Sequence, residues 1–274
     1  MADSSSDDPE RVYPPPARPS QRWRMPRAVA ALVLREMSST YGRSPGGYLW
    51  AVVEPIGGVI ILTVVFSVLL RSPSLGVSFP LFYATGLLPF GMFTQQSNRV
   101  GAAMSYSRAL LFYPGVTFVD ALLARFLLAL VTNFLVAALV LFGIIEVFSL
   151  QVTLDLPVLA LAMVLAAILG AGVGTLNAYL TMALPVWERI WVILTRPLFL
   201  LSGLLYLYEE LPRVARDILW WNPIFHVIGL MRAGTYSSYD ATYASSLYVL
   251  AVSVVLMLLG MILLHRFHRD LLQA

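Results

Sequence analysis

Neither lysine nor cysteine occurs in this chain of 274 residues. Each absence removes a class of chemistry. A P-loop of the GxxxxGK[ST] kind places a lysine ammonium on the terminal phosphates of its nucleotide, so any ATP-driven role needs a second polypeptide. Without cysteine there are no disulfides and no thiolate chemistry. Charge is also scarce: Asp, Glu, Lys and Arg make up 12% of the residues, and 59% are hydrophobic. A soluble domain carries about a quarter charged residues, so this composition excludes one. Histidines number three; His265 and His268 stand close together in "HRFHRD", but a metal centre needs more ligands, and the stretch reads as a basic flank. No nucleophile–base pair, Gly-rich dinucleotide loop or glycosidase-type carboxylate pair stands out. Glu210 and Asp217 are two acids in one connecting segment, which is weak ground for catalysis.

What the chain does have is long apolar runs. A membrane-crossing helix needs about 20 apolar residues. Windows free of charge run over 72–98, 126–145, 156–187 and 241–264. Two further spans are implied, one entered through Glu54 and one crossed by Arg196. The expected fold class is therefore an all-α integral membrane protein with six transmembrane helices, at about 50–70, 81–103, 118–145, 157–182, 190–208 and 241–265. Residues 1–24 are polar, with "DSSSDDPE" and "YPPPARPS", and cannot bury enough apolar surface to fold. They read as a disordered cytoplasmic tail ahead of a membrane domain over 25–274.

The arginines orient the chain. Seven of them precede the first span, and with six crossings the inner side holds fourteen of the 18, leaving Arg71, Arg213, Arg216 and Arg232 outside. By the positive-inside rule both termini are cytoplasmic.

Three stretches are more elaborate than an anchor requires. Before the first span, Val29, Leu32, Val33 and Met37 recur at helical spacing, with Arg27 and Arg35 elsewhere on the wheel. Such a helix is expected to lie in the membrane plane with its apolar side in lipid. Gly42 and Ser44–Gly47 then turn the chain, and Tyr48 and Trp50 mark the headgroup level. Late in the chain, 209–240 is too apolar for a loop and too broken for a span. Asn222-Pro223 divides it into two segments of roughly ten residues, each too short to cross. A re-entrant helical hairpin on the outer side follows, with Trp220 and Trp221 at the interface; a surface loop is the alternative. Between the second and third spans, Leu110, Leu111, Phe112 and Tyr113 form an apolar cluster of the kind that marks a protein interface.

Within the spans, Glu54 is costly unless paired, and Arg43, Arg125 and Arg196 are its available partners. Arg196 alternatively snorkels to the headgroups. Gln95, Gln96, Asn98, Thr132, Asn133, Thr175 and Asn177 are expected to hydrogen-bond between helices, and Gly170–Gly174 to allow close helix packing.

Several of these stretches together resemble one family. "LREMSSTYGRSPGGYLWAVVEP", "VSFPLFYATGLLPFGMF", "RALLFYPGVTFVDALLAR" and "RPLFLLSGLLYLYEELPRVARDILWWNPIFHVIGLMRAG" are similar to the membrane subunits of ABC-2-type polysaccharide exporters, and most of all to Gram-negative capsular polysaccharide export permeases. The resemblance runs from about residue 28 to the C-terminus. It implies six spans, an N-terminal interface helix, a cytoplasmic coupling helix between spans two and three, and a periplasmic re-entrant pair before the last span. It implies a non-catalytic subunit of the inner membrane without a cofactor of its own. Two copies would join two copies of a cytoplasmic ABC ATPase that binds ATP and Mg. A periplasmic copolymerase and an outer-membrane export protein would complete the route for a lipid-linked polysaccharide. No nucleic acid is expected among the partners.

The resemblance also assigns roles. Arg108, Leu110, Leu111, Phe112, Tyr113 and Pro114 would couple to the ATPase. Trp220, Trp221, Asn222, Pro223, His226 and Arg232 would form the hairpin. A glycan in transit needs weak repeated contacts, such as aromatic faces against sugar C–H groups, and tight sites would stall it. Tyr48, Trp50, Phe66, Tyr83, Phe90, Phe93, Tyr206 and Tyr208 are the candidate lining residues, with ordinary packing the competing role for each. Glu54 and Arg196 would face the polymer, and Arg24, Arg27 and Arg35 would meet an anionic lipid-linked terminus, with plain binding to anionic phospholipid the competing role. O-antigen and teichoic-acid-type polymers are alternative cargoes. An integral-membrane enzyme acting on lipid-linked sugars is the alternative class, and it lacks convincing acid/base groups here.

Overall fold

The computed structural model describes residues 24–40, 47–111 and 117–273; the expected N-terminal tail lies outside them. Among the described residues all regular structure is helical: α1 (Arg24–Thr40), α2 (Gly47–Leu69), α3 (Phe79–Gly101), α4 (Ala103–Leu111), α5 (Phe118–Val147), α6 (Leu156–Ala183), α7 (Trp187–Leu201), α8 (Arg213–Leu219), α9 (Pro223–Thr235) and α10 (Ser246–Gln273), with a 3₁₀ turn at Tyr208–Glu210. Among the described residues, four helices are long and apolar enough to cross a membrane: Leu49–Leu69, Phe118–Val147, Leu156–Ala183 and Ser246–Phe267.

The other two expected spans are helices of a different character. The C-terminal part of α3 carries Thr94, Gln95, Gln96, Ser97, Asn98 and Arg99 in succession, which lowers its apolarity although its length suffices. α7 has 15 residues, about 22 Å at 1.5 Å per residue, and stops at Leu201 where the sequence suggested a span running to about 208. The cause is local. Gly203 adopts φ +74°, a left-handed conformation that ends helices and favours glycine. The Phe225 ring closes over it, so that a Cβ there would lie 2.6 Å from two ring carbons.

α6 occupies the centre and packs most extensively against α10 and α3. Its glycines make that possible. A Cβ on Gly170 would sit 2.6 Å from Phe93 O of α3, and one on Gly172 would sit 2.4 Å from Ser253 O of α10. Backbone therefore meets backbone on two sides of α6, the close packing expected of Gly170–Gly174. The main core joins Phe82 and Tyr83 of α3, Ala166 and Leu169 of α6, and Val227, Ile228 and Met231 of α9. A second cluster of Val100, Met104, Leu122, Ala178 and Leu264 closes the end of the bundle where α4 lies.

The polar residues inside the bundle divide into two groups. Gln96 Nε2 donates to Phe126 O (3.1 Å), Trp187 Nε1 to Asn177 Oδ1 (3.0 Å) and Trp191 Nε1 to Asn98 Oδ1 (3.0 Å), which ties neighbouring elements together. Thr132, Asn133 and Thr175 instead bond the carbonyl one turn back on their own helices. Short side chains reach that carbonyl without crossing to a neighbour, and this corrects the interhelical role expected of them.

One further expectation is corrected. The apolar stripe of α1 does not face lipid alone, because Val29 and Leu32 are buried against Ala124 and Leu123 of α5; a packed protein partner was available within the same chain. Tyr83, Phe90 and Phe93, expected along a channel, are buried at 1%, 8% and 3% exposure in the core of the single chain. Tyr83 packs against Phe82, Phe79 and Phe66, and Phe90 against Phe199. These contacts give the three rings a packing role in the single chain.

Candidate functional site

Three regions carry chemistry. The first is made up of the exposed surfaces of α2 and of α7. Only 6% of the apolar stretch of α2 is buried in the single chain, against 56% for α6, and α7 has no buried residue. Trp50, Glu54 and Arg196 are exposed there, and Phe66 is half-buried. Glu54 has no ion-pair partner among the described residues, of which Arg43 is not one. Arg125, a second expected partner, is engaged by Glu36 at 2.9 Å, and the third, Arg196, forms no ion pair with it. Charges on a face this apolar are expensive in hydrocarbon, so the face has the character of a surface awaiting a partner or an aqueous route.

The second region is the pair of short helices α8 and α9 beside the end of α7. Its helices have 7 and 13 residues, flanking the break read at Asn222-Pro223. Pro223 opens α9, and the Asn222 side chain caps it, accepting from Ile224 N at 3.2 Å. The break in α7 frees carbonyls, and side chains nearby satisfy them. Asn222 Nδ2 donates to Leu201 O (3.0 Å), and Tyr206 OH donates to Leu200 O (2.9 Å). Arg232, 1% exposed, donates from Nη2 to Leu204 O (2.9 Å) and from Nη1 to Tyr206 O (2.8 Å). Its guanidinium lies over the Phe82 ring, 4.4 Å from the centroid. Buried backbone carbonyls outside regular helices need a donor, and Arg232 supplies it to these two.

Histidine 226 is fixed in the same way. Its Nδ1 accepts from Ser245 N at 3.2 Å, so Nε2 carries the proton and donates to Trp220 O at 2.6 Å. The ring is neutral and structural. Around it Trp220 stacks on Tyr248, Trp221 is exposed, and Tyr208 stacks on Tyr243 at 4.1 Å. Toward the surface Tyr239 OH donates to Glu209 Oε2 (3.2 Å) and Ser74 Oγ to Glu210 Oε2 (3.1 Å). Burial pushes the Tyr239 phenol up to about 12, which keeps it a donor at any ordinary pH. Tyr206 and Tyr208 thus bind this pair of helices to α7, a bracing role in the single chain.

The third region is at the opposite end, where α1, α3, α4 and α5 meet. α4 ends at Leu111; Arg108 is exposed on it. Phe112, Tyr113 and Pro114 lie outside the described residues, as do the side chains of Leu110, Leu111, Arg24 and Tyr48. Arg27 and Arg35 are exposed on α1. α5 begins at a capping box in which Thr117 Oγ1 accepts from Asp120 N (3.2 Å) while Asp120 Oδ2 accepts from Thr117 N (2.9 Å). Sequence reasoning missed the Glu36–Arg125 pair here. A signal existed: Glu36 and Glu54 are the only carboxylates between residues 11 and 119, and only Glu54 was weighed as a partner for Arg125.

Residues 27–236 match the ABC-2 type transporter family over the whole stretch from α1 to the end of α9. The chain belongs to the ABC-2 type transporter membrane family. Its relatives within the ABC-2 transporters share nearly their full length with it. The polysialic acid transport protein KpsM of Escherichia coli is 31% identical over 240 residues, covering 86% of this chain and 91% of KpsM. The capsule polysaccharide export inner-membrane protein CtrC of Neisseria meningitidis is 25% identical over 243 residues, covering 89% and 92%. BexB of Haemophilus influenzae, of the same description, is 24% identical over 243 residues with the same shares. This ABC-2 chain is thus a multi-pass membrane protein of the transporter-subunit type, and Trp50, Glu54, Arg125, Arg196 and Arg232 all fall inside the matched residues.

Proposed function

We propose that this chain is the membrane subunit of an ATP-driven exporter that moves lipid-linked capsular polysaccharide from cytoplasm to periplasm. The observation that carries the reading is the similarity over 86–89% of the chain to proteins described as polysialic acid transport and capsule export inner-membrane proteins. α3 and α7 complete a set of six spans, their weak apolarity or short reach offset by burial in α3 and by a facing partner for α7. The hairpin of α8 and α9 re-enters the outer leaflet, and α1 and α4 lie at the cytoplasmic face with both termini. The arginine asymmetry and the satisfied carbonyls over Arg232 support this placement.

The exposed α2–α7 face is where a second copy docks, and the polymer passes between the two copies. Trp50, Phe66, Glu54 and Arg196 border that route, and Arg24, Arg27 and Arg35 line its approach from the inner leaflet. The chain itself performs no bond chemistry. Energy comes from two copies of a separate ABC ATPase, which hold ATP and Mg, and which dock on α4 and the loop after it. A periplasmic copolymerase and an outer-membrane protein carry the polymer onward.

The complete absence of lysine makes the ATPase requirement testable. Purified gently from its native host, the chain is expected to bring down a lysine-bearing P-loop ATPase in equal amount. A chain that purifies without any nucleotide-binding partner, under conditions preserving its own dimer, contradicts the reading.

A further inference from the structure

One planar group joins all four helices at the cytoplasmic end. Arg125 of α5 meets Glu36 of α1 through Nη2–Oε1 at 2.9 Å, with the two side chains 8% and 10% exposed. Its Nη1 donates to Arg99 O in the last turn of α3 at 3.0 Å. Its guanidinium lies over the Tyr106 ring of α4, 4.2 Å from the centroid, and Arg35 of α1 approaches the same ring at 5.8 Å. Apolar packing already holds α1 to α5 through Val29, Leu32 and Ala124. A buried ion pair is a poor source of stability compared with apolar side chains of the same volume. What it adds is orientation: the rigid guanidinium fork satisfies carboxylate, carbonyl and ring in one relative geometry only.

We infer that Glu36, Arg125 and Tyr106 form a mechanical link that makes the interface helix α1 move as one body with α4. They are positioning residues and touch neither polymer nor nucleotide. The inference rests on the reading above, in which α4 receives the ATPase. If α4 shifts when ATP binds, the Tyr106–Arg125–Glu36 contacts carry α1 with it. The arginines of α1 at the inner leaflet then move in step with the ATPase. A packed element with two discrete arrangements, biased at one site and read out at another, is the physical form such coupling takes.

Because the chain contains no cysteine, labels can be placed without removing any. The exposed positions Leu34 on α1, Ser105 on α4 and Leu258 on α10 are changed to cysteine in pairs and spin-labelled. Labelled chains are diluted with unlabelled copies in the full complex with the ATPase, in lipid nanodiscs. Distances are measured without nucleotide and with ATP held by a hydrolysis-deficient ATPase. The expected result is an unchanged 34–105 distance while both positions shift relative to 258. Movement of 105 relative to 258 with 34 left behind overturns the link alone. No ATP-dependent change at any pair overturns the link and the ATPase reading beneath it.

Glu36→Gln and Arg125→Lys supply the functional arm. Each should retain ATP hydrolysis within about twofold while polymer exported per ATP falls about tenfold, inside the 5–150-fold span of ordinary coupling energies. Arg125→Lys keeps the charge and the ion pair, so a merely structural role leaves its export ratio at the parent value, and that result contradicts the inference. Should either variant fail to accumulate, the label distances in the unsubstituted pair decide the question.

Discussion

Aspartate in place of Leu111 or Phe112 is expected to abolish polymer at the cell surface while the amount of chain in the membrane stays unchanged. α4 is anchored in the bundle through Ala103 and Met104, both fully buried. The proposed docking on an ATPase would account for the apolar composition of residues 110–113. Burying one large apolar side chain contributes about 1.5–3 kcal/mol, and an unpaired carboxylate in the same contact adds a desolvation cost of similar or larger size. A combined loss of about 4 kcal/mol is roughly a thousandfold in affinity, enough to disengage the ATPase. Immunoblots of washed membranes and lectin or antibody staining of intact cells read the two quantities separately. Normal surface polymer in these variants would remove the coupling role from this segment.

Alanine at Arg232 is expected to destabilise the folded chain by about 2–5 kcal/mol. Leu204 O and Tyr206 O would each lose a donor in a water-poor setting, at about 1–3 kcal/mol per group. A side-chain-sized cavity beside Phe82 adds to that, and relief from burying a charge offsets part of it. Lysine should fall between, since an ammonium cannot bridge both carbonyls while lying flat on the Phe82 ring. Thermal unfolding in detergent measures the series. An alanine variant as stable as the parent would mean that the break at Gly203 is satisfied by other means.

How much of this was legible in the sequence depended on scale. Long uncharged runs announce helices directly: α5 and α6 lie close to their expected bounds, while α10 starts at Ser246 and runs on to Gln273, past its expected end at 265. The break at Asn222-Pro223 and the glycine packing of α6 were legible for the same reason, since the residue types dictate the local geometry. The end of α7 was not, because Gly203 stops that helix only once Phe225, from a distant segment, closes over it. Tyr83, Phe90 and Phe93 look like any aromatics in a span; only the packing of α3 against α6 and α7 turns them inward. Glu36 was overlooked because a single acid on a surface helix carries no pattern. Its meaning comes from Arg125, nearly ninety residues away.

Deleting the gene in its host and locating the glycan before and after permeabilisation tests the central claim most directly. The account predicts polymer trapped inside the cell, an empty surface and an unaltered lipopolysaccharide ladder. Polymer that still reaches the surface, or loss of the lipopolysaccharide ladder with the capsule intact, would contradict it.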